Sequence, residues 1–240
     1  MAVLPNSASK ASKKEQVEQM FDDIAPNYDK LNHILSFQVD NLWRQRVRKK
    51  LAPQQPQEIL DIATGTADLA IELSKLKPKK IIGLDLSAQM IAAGDKKLID
   101  KKLTHIISLE KGDSENMRFE DNRFDAITVA FGVRNFENLD KGLAEIHRVL
   151  KPGKAFIILE FSKVKSFPMK QFYNFYSRYI IPFIGKLFSK NNEAYTYLPN
   201  SVQVFPEGEE MCLILKNIGF TNIICKRLTF GIASMYYCEK

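Results

Sequence analysis

From residue 58 onward, short runs of β-branched and other apolar residues alternate with segments long enough to form helices. This alternation is typical of βαβ units, in which consecutive strands lie parallel in one sheet and helices cover its faces. Strands are predicted at residues 58–63, 80–85, 105–110, 124–131 and 155–161, the last entered through a turn at 151–153. The helices between them are predicted at 67–76, at 88–101 and along the apolar face of Leu139, Leu143, Ile146 and Leu150. The chain is therefore predicted to be an α/β protein built on a mostly parallel sheet.

The C-terminal end departs from this regular alternation. An aromatic insertion, residues 161–207, follows the fifth strand, and a helix is predicted near 208–217. Two further strands, 221–228 and 232–238, are separated only by a short turn near Phe230 and Gly231. Strands joined by so short a turn pair antiparallel, which predicts a hairpin at the edge of a seven-stranded, Rossmann-like sheet. The hairpin distinguishes this sheet from the doubly wound sheet of NAD-dependent enzymes.

The first 57 residues are predicted to form a helical cover, separate from a domain at 58–240. Ser12 and Glu15 have the spacing of a capping box, and apolar residues then recur at helical spacing, so a helix begins there. It should end before Pro26, because proline cannot donate the next helical hydrogen bond. A second, basic helix is predicted at about residues 40–51, before a polar linker with two prolines.

Composition excludes several classes of protein and leaves three classes of partner. With 45% hydrophobic and 26% charged residues, the chain is not of the disordered or collagen-like class. Three cysteines without a Cys-x-x-Cys pair indicate neither a disulfide framework nor a zinc site, so we expect no metal and a reducing, cytoplasmic location. The net charge of +7 leaves nucleic acid, an anionic membrane surface or an acidic ligand as partners.

Acidic residues follow three successive strands, at the edge where ligands of open α/β sheets bind. Asp61 ends the first strand and precedes Gly65, whose missing side chain lets a ligand approach the backbone. Asp85 ends the second strand, 20 residues beyond Gly65, the spacing at which a carboxylate accepts hydrogen bonds from ribose hydroxyls. Asp113 and Ser114 follow the third strand and are placed to reach an adenine amino group. One glycine turn alone could be a tight connection, but three acidic loops indicate a nucleoside ligand.

The same loops favour a cationic cofactor over a dinucleotide. A diphosphate binds best to a complete Gly-x-Gly-x-x-Gly turn with free backbone N–H groups, whereas Ala67 and Ala70 stand at the later glycine positions. Carboxylates around the turn repel a diphosphate and attract a sulfonium and an ammonium. S-adenosylmethionine, which carries both of these groups and a ribose, is therefore the predicted cofactor.

These loops resemble those of class I S-adenosylmethionine-dependent methyltransferases, and further blocks narrow the resemblance. Over about residues 17–240 the chain is similar to the quinone-biosynthesis C-methyltransferases usually called UbiE or MenG. The blocks that carry this resemblance are Tyr28-Asp-Lys-Leu-Asn32 with Ser36 and Trp43, Phe131-Gly-Val-Arg-Asn135, Arg148-Val-Leu-Lys-Pro-Gly153 with Glu160-Phe-Ser162, Tyr195-x-Tyr-Leu-Pro199 and Leu228-Thr-Phe-Gly-Ile-Ala233. The resemblance implies the class I methyltransferase fold. It also implies C-methylation of a polyprenylated hydroquinone, either demethylmenaquinol or the benzoquinol intermediate of ubiquinone synthesis.

The family pattern also implies where the cofactor binds. The implied contacts are Thr66, Asp85, Asp113 and Ser114. The chain departs from the pattern at four positions: Asp40 in place of histidine, Ala67 and Lys154 in place of glycines, and Ala130 in place of serine. None of these departures removes the predicted ribose-binding acid or the loop glycine.

Four residues are candidates for chemistry on the acceptor. A hydroquinone ring carbon becomes nucleophilic when a ring hydroxyl ionises, and a nearby cation or base favours that ionisation. On the loop after the fourth strand, Arg134 is predicted to stabilise the phenolate and Asn135 to orient the ring oxygen. Alternatively, Arg134 clamps the loop through backbone carbonyls. Tyr28 and Asp29 are predicted to close over the cofactor, with Asp29 as a weaker base; the alternative is a capped helix end packed on the domain.

Most of the excess positive charge lies in one aromatic segment, residues 161–192. This segment holds six lysines and arginines, no acidic residue and nine of the 25 aromatic residues. Such a segment suits an interfacial helix on anionic lipid, a surface that stacks on nucleic-acid bases, or a lid whose rings complete the core. No stretch approaches the roughly 18 apolar residues that span a bilayer, so we expect a soluble or peripheral protein.

The acceptor loop helps to choose between lipid and nucleic acid. It lacks the Asn-Pro-Pro-Tyr or Asp-Pro-Pro-Tyr motif of enzymes that methylate base amines, which favours a carbon or oxygen acceptor. Because the family resemblance implies a polyprenylated hydroquinone as substrate, we expect peripheral contact with the inner face of the membrane and no nucleic-acid partner. Methylation of RNA or of another small aromatic acceptor is the alternative.

Overall fold

The computed structural model describes residues 3–29, 32, 36, 38–165, 167–171, 176 and 193–240. Most of the basic aromatic segment at 161–192 therefore lies outside the described residues, and what was predicted of its contacts stays a prediction. Lys30 and Leu31 of the first family block lie outside them as well. Within the described ranges, no helix combines the length and the apolarity needed to cross a bilayer.

The described residues form a seven-stranded sheet with the strand order β3-β2-β1-β4-β5-β7-β6. The strands are β1 (Glu58–Ile62), β2 (Lys80–Asp85), β3 (Ile107–Lys111), β4 (Phe124–Ala130), β5 (Leu150–Phe161), β6 (Thr221–Leu228) and β7 (Ala233–Glu239). The first five are parallel, and β7 pairs antiparallel with both β5 and β6. This confirms the predicted sheet and its C-terminal edge hairpin. The strand order reverses between β1 and β4, the kind of point at which open α/β sheets bind ligands.

The fifth strand begins earlier than predicted. Because β5 starts at Leu150, the predicted turn at 151–153 is wrong, and these residues belong to the strand. The pairing of β4 with β5 shifts register between Phe124 and Ala126, and Gly153 has a φ of +69°. The strand therefore continues through an irregularity of the β-bulge type, where glycine is favoured because it adopts a positive φ without steric strain.

Helices cover both faces of the sheet. The described helices are α1 (Lys13–Ile24), α2 (Val39–Leu51), α3 (Asp68–Leu73), α4 (Ala88–Asp100), α5 (Leu139–Val149), α6 (Glu193–Val204) and α7 (Glu209–Ile218). One apolar layer packs α5 and α7 on the sheet, and a second packs α2, α3 and α4 on the opposite face. In β1, Leu60 and Ile62 belong to the first layer and Ile59 to the second. Because both faces are covered, as is usual for parallel strands, the loops at the strand ends remain for ligand binding.

The first helix begins with the capping box predicted from the sequence. The Glu15 N–H donates to Ser12 Oγ at 3.2 Å, and the Ser12 N–H donates to Glu15 Oε2 at 2.8 Å. The helix also ends before the proline, as predicted. Val17 and Met20 on its apolar face pack against Tyr197 of α6. The helix α1 is thereby held outside the two layers that cover the sheet.

Candidate active site

A cleft of about 710 Å³, including its open mouth, lies at the carboxyl ends of the parallel strands. Its walls come from the loops after β1, β2, β3 and β4, and α1 closes one side. Ligands of open α/β sheets bind at this edge, outside the carboxyl ends of the strands. Five predicted site residues line it: Tyr28, Gly65, Asp85, Ser114 and Asn135. The other five lie outside the lining: Asp29, Asp61, Thr66, Asp113 and Arg134.

Gly65 and Asp85 are hydrogen-bonded to each other across the first two loops. The Gly65 N–H donates to Asp85 Oδ2 at 2.7 Å, and the Ser87 N–H donates to Asp85 Oδ1 at 2.9 Å. Gly65 has a φ of +55°, a conformation that glycine adopts freely. Desolvation raises the pKa of Asp85, and the backbone donors act in the opposite direction. The carboxylate is fixed in orientation, and each oxygen keeps a lone pair for a further donor such as a ribose hydroxyl.

Asp61 holds the loop after β1 in place through hydrogen bonds. It is buried, and its carboxylate accepts hydrogen bonds from Thr128 Oγ1 at 2.6 Å and from Thr64 Oγ1 at 2.7 Å. Burial raises the pKa of Asp61 to about 6, while the two threonine hydroxyls lower it. These contacts tie β4 to the loop that carries Gly65. The predicted contact of Asp61 with the cofactor stays a prediction.

Two predicted residues from distant segments contact each other beside the cleft. Thr66 Oγ1 donates to Asp29 Oδ1 at 2.5 Å. Lys97 Nζ of α4 lies 2.7 Å from Asp29 Oδ2 and 2.6 Å from Asp68 Oδ1. Asp29 therefore fastens the N-terminal cover to the loop after β1 and to α4. This placement corresponds to the alternative role, in which the end of the cover packs on the domain.

The loop after β3 contributes one residue that sequence reasoning missed. Ser114 lines the cleft, whereas Asp113 pairs with Lys14 of α1, Oδ2 to Nζ, at 2.7 Å. The missed residue is Glu115, which is buried and also lines the cleft. Its Oε1 accepts the Glu137 N–H at 2.7 Å, and its Oε2 lies 3.7 Å from Lys14 Nζ. The available signal was its position, directly after Ser114 in the polar turn.

The helix α1 is fastened across the cleft by polar contacts. Lys13 Nζ donates to the carbonyl oxygens of Arg134 at 3.0 Å and of Phe136 at 2.6 Å. Burial lowers the pKa of Lys13. Asp22 Oδ1 accepts a hydrogen bond from Ser87 Oγ at 2.5 Å. The sequence predicted the cover but none of these contacts, because its residues do not fix where an isolated helix docks on a sheet.

The cleft suits a cationic ligand. Four carboxylates line its described part: Glu18, Asp85, Glu115 and Glu137. The lysine beside them, Lys14, is already paired with Asp113. Because the Gly65 N–H is donated to Asp85, the first loop does not present it to a phosphate. Carboxylates attract sulfonium and ammonium groups and accept hydrogen bonds from hydroxyls. The residues therefore fit S-adenosylmethionine better than a dinucleotide.

The loop after β4 holds Arg134 in a buried ion pair. Its Nη1 lies 2.7 Å from Glu160 Oε1 and also donates to the carbonyl oxygen of Phe131. Its guanidinium lies 5.5 Å from the ring centroid of Phe161. The Arg134 Nε is buried and has no hydrogen-bond partner in the part of the chain that the structure describes. Arg134 thus clamps the loop through the carbonyl oxygen of Phe131, which was the alternative prediction, and it also places its ion pair with Glu160 next to the cleft.

Tyr28 lies over the first loop. Its ring packs edge-on against Phe21 of α1, with the centroids 6.1 Å apart. A Cβ atom added at Gly65 would lie 3.8 Å from Tyr28 Cε1, so the ring and the loop are in close proximity. Burial raises the pKa of the Tyr28 hydroxyl, and its hydrogen bond with Asn32 lowers it. Tyr28 therefore lies close to the loop that carries Gly65, and its closure over a cofactor stays a prediction.

Comparison with known proteins identifies the family. Residues 9–240 match the model of the ubiE/COQ5 methyltransferase family. The chain belongs to this family. A relative from Bacteroides fragilis named demethylmenaquinone methyltransferase is 50% identical over 229 residues, 95% of this chain and 94% of the relative. A relative from Geobacter sulfurreducens named ubiquinone/menaquinone biosynthesis C-methyltransferase UbiE is 42% identical over 230 residues, 95% and 90% of the two chains.

This ubiE/COQ5 family member also shares its fold with solved methyltransferases. A structure from Thermotoga maritima, described as an S-adenosylmethionine-dependent methyltransferase and possible histamine N-methyltransferase, aligns with a TM-score of 0.62. The alignment covers 93% of this chain and 99% of that one at 19% sequence identity. This likeness confirms the predicted class I methyltransferase fold.

Two departures from the ubiE/COQ5 pattern have a structural explanation. Ala67, in place of a glycine, has a φ of +68°, and its methyl group is buried in the second apolar layer. The packing of that methyl group offsets part of the steric cost of a positive φ. Asp40, in place of histidine, is buried, accepts a hydrogen bond from Ser36 Oγ at 2.6 Å and pairs with Arg44.

Proposed function

We propose that this chain transfers the methyl group of S-adenosylmethionine to a ring carbon of demethylmenaquinol, giving menaquinol. The observation that carries the proposal is the acidic cleft closed by α1, with the loop of Asn135 as one wall. The family and a 50% identical relative named for this reaction support the acceptor. A polyprenyl-benzoquinol is the second candidate acceptor, because the name of the Geobacter relative covers ubiquinone as well as menaquinone biosynthesis.

When bound, S-adenosylmethionine supplies a methyl group on a cationic sulfur. In the overall reaction the bond from sulfur to methyl breaks, a bond from methyl to the ring carbon forms, and that carbon loses its proton. S-adenosylhomocysteine is the second product. The main task of the protein is alignment, because a displacement between two held reactants gains most from orientation.

Four residues of the cleft are assigned to the cofactor. The Asp85 carboxylate, held by the N–H groups of Gly65 and Ser87, accepts hydrogen bonds from the ribose hydroxyls. Gly65 leaves room for the ligand beside the backbone, and Ser114 lines the wall formed by the third loop. Tyr28 covers the first loop and helps to exclude water from the cofactor. The carboxylates of the cleft stabilise the positive charge of the ligand.

Two residues of the loop after β4 are assigned to the acceptor. Arg134 carries a positive charge that Glu160 partly offsets, in a buried setting where a charge acts more strongly on its neighbours than it does in water. This charge favours the phenolate form of the hydroquinone. Asn135 lines the cleft and orients the ring oxygen.

We further propose peripheral contact with the inner face of the membrane, where a polyprenylated quinol resides. Phe167 is 81% exposed and Phe230 is 72% exposed, in the segments that follow β5 and precede β7. The exposed cations Lys165 and Arg227 lie two and three residues from these rings in sequence, and Glu207 pairs with both, at 2.8 Å and 3.4 Å. Aromatic rings beside cations suit the boundary between lipid tails and anionic headgroups.

Quinone profiling tests the proposed reaction. A strain that lacks the gene is expected to accumulate a demethylated quinone, and the wild-type gene should restore the methylated one. A gene carrying Asp85→Asn should restore it poorly. An unchanged quinone pool in the deletion strain would overturn the proposal, and the mass of any accumulated quinone distinguishes the naphthoquinol from the benzoquinol acceptor.

A further inference from the structure

Tyr197 is a buried tyrosine that joins three parts of the site. It lies on α6, is 3% exposed, and is not among the residues that line the cleft. Its hydroxyl donates to Asn135 Oδ1 on the acceptor loop at 3.2 Å. Its ring packs against Val17 and Met20 of α1. One side chain therefore connects α6, the helix over the cleft and the acceptor loop.

The direction of this hydrogen bond fixes the Asn135 amide. A buried hydroxyl proton needs an acceptor, and Asn135 Oδ1 supplies it. If the amide turned over, its NH₂ group would face the hydroxyl and the Tyr197 proton would lose its acceptor. Burial raises the pKa of Tyr197 to about 12, although the charge of Arg134 lowers it, so the hydroxyl keeps its proton near neutral pH. Tyr197 thus determines which end of the amide remains as a donor.

We propose that Tyr197 is a positioning residue that holds Asn135 Nδ2 as a hydrogen-bond donor for the ionised oxygen of a phenolic acceptor. Asn135 lines the cleft, and within the described residues Tyr197 is the side chain that binds its amide. A donor held in advance stabilises negative charge on the acceptor without having to reorient during the reaction. The inference rests on the proposed function, because it requires a phenolic acceptor.

The first test compares two buried tyrosines. Tyr197→Phe is expected to lower kcat with demethylmenaquinol about tenfold and to leave the Kd for S-adenosylmethionine unchanged, because the lost hydroxyl acts only on the acceptor side. Tyr236→Phe is the matched control. The Tyr236 hydroxyl accepts the Gly208 N–H at 2.8 Å and lies in the first apolar layer, so its loss should lower Tm without lowering kcat.

The second test is a double-mutant cycle. If Tyr197 acts through Asn135, then Tyr197→Phe combined with Asn135→Ala should be no slower than Asn135→Ala alone. Asn135→Asp keeps an acceptor for Tyr197 but has no Nδ2, and it is expected to be as slow as Asn135→Ala. If the losses of kcat multiply in the double variant, or if Tyr197→Phe has an unchanged kcat, the proposed role of Tyr197 is overturned and the proposed function is not. A wild-type enzyme without turnover on demethylmenaquinol would contradict the proposed function as well.

Discussion

Glu160 Oε1 lies 2.7 Å from Arg134 Nη1, and the two side chains are 1% and 7% exposed. The last residues of β5 thus supply the counter-charge for an arginine on the loop after β4. Removing one partner of a buried ion pair strongly destabilises the folded protein, because the remaining charge is buried without a counter-charge. The same arginine holds the loop and, in the proposed mechanism, stabilises the phenolate. If Arg134 only holds the loop, its removal should lower stability without lowering kcat. If it stabilises the phenolate, its removal should also lower kcat.

Arg134→Ala is expected to lower kcat about 100-fold or more with an acceptor that carries its isoprenoid tail, since removal of a group that stabilises developing charge costs about this much. Arg148→Ala is the matched control. Arg148 also clamps a loop, because it donates to the carbonyl oxygen of Phe119 at 2.8 Å and pairs with Glu145 at 2.7 Å. The Arg148→Ala enzyme should have a lower Tm and an unchanged kcat. Near-normal turnover of purified Arg134→Ala would contradict the catalytic role.

Asp85→Asn is expected to raise the Kd for S-adenosylmethionine by about 10-fold to 100-fold, because hydrogen bonds to a charged group contribute about 1.5–3 kcal/mol. Isothermal titration calorimetry measures this directly. Asp125→Asn is the control. Asp125 Oδ2 accepts hydrogen bonds from the N–H groups of Gln57 at 3.0 Å and Glu58 at 2.9 Å, at the amino ends of the parallel strands and away from the cleft. An Asp85→Asn enzyme with wild-type affinity would refute the assignment of the ribose-binding acid.

The strands and the acidic loops could be predicted because they depend on local pattern. The limits of β2 and β6 match the predicted 80–85 and 221–228 residue for residue. Each acid follows its strand directly in the chain, so the placement of Asp85 at the ligand-binding edge required only the parallel sheet. The same reasoning found Gly65 and Ser114.

The role of Asp61 could not be read from the sequence in the same way. Its hydrogen bond with Thr128 joins residues 67 positions apart and exists because β1 lies beside β4 with these two residues in register. The docking of α1 has the same origin, since Lys13 reaches the carbonyl oxygens of Arg134 and Phe136 only in the folded chain. Sequence reasoning found residues at the strand ends and Tyr28 of the cover, and it missed Glu115 and the contacts that α1 makes across the cleft.

Asp61→Asn is expected to remove a pH dependence of stability. The folded-state pKa of Asp61 is about 6, above its ordinary value of 3.8, so the folded protein binds a proton that the unfolded chain releases. The stabilisation that comes from this bound proton is complete below about pH 4 and is lost as pH rises through about 6. It amounts to about 1.4 kcal/mol for each unit by which the pKa is raised. The free energy of unfolding of the wild type should therefore fall, relative to Asp61→Asn, between these pH values. Parallel pH profiles from chemical denaturation would contradict the burial argument.

Replacing both Phe167 and Phe230 with serine is expected to weaken binding to vesicles with anionic lipid by about tenfold, because two exposed rings can no longer enter the interface. Vesicle sedimentation at two salt concentrations measures the effect. Leu213→Ser is the control, since this side chain is 59% exposed on α7, away from the two phenylalanines in sequence. Equal binding of all variants, or salt-dependent binding of RNA in place of vesicles, would count against the membrane contact.

Direct observation of the transferred methyl group tests the proposed C-methylation of the quinol. Purified enzyme would be incubated with demethylmenaquinol and S-adenosylmethionine that carries a deuterated methyl group, and the product examined by mass spectrometry and NMR. We expect menaquinol whose new ring methyl group carries three deuterium atoms, together with one equivalent of S-adenosylhomocysteine. A label on a ring oxygen, or no transfer to the quinol while RNA or another aromatic acceptor is methylated, would contradict the proposed C-methylation.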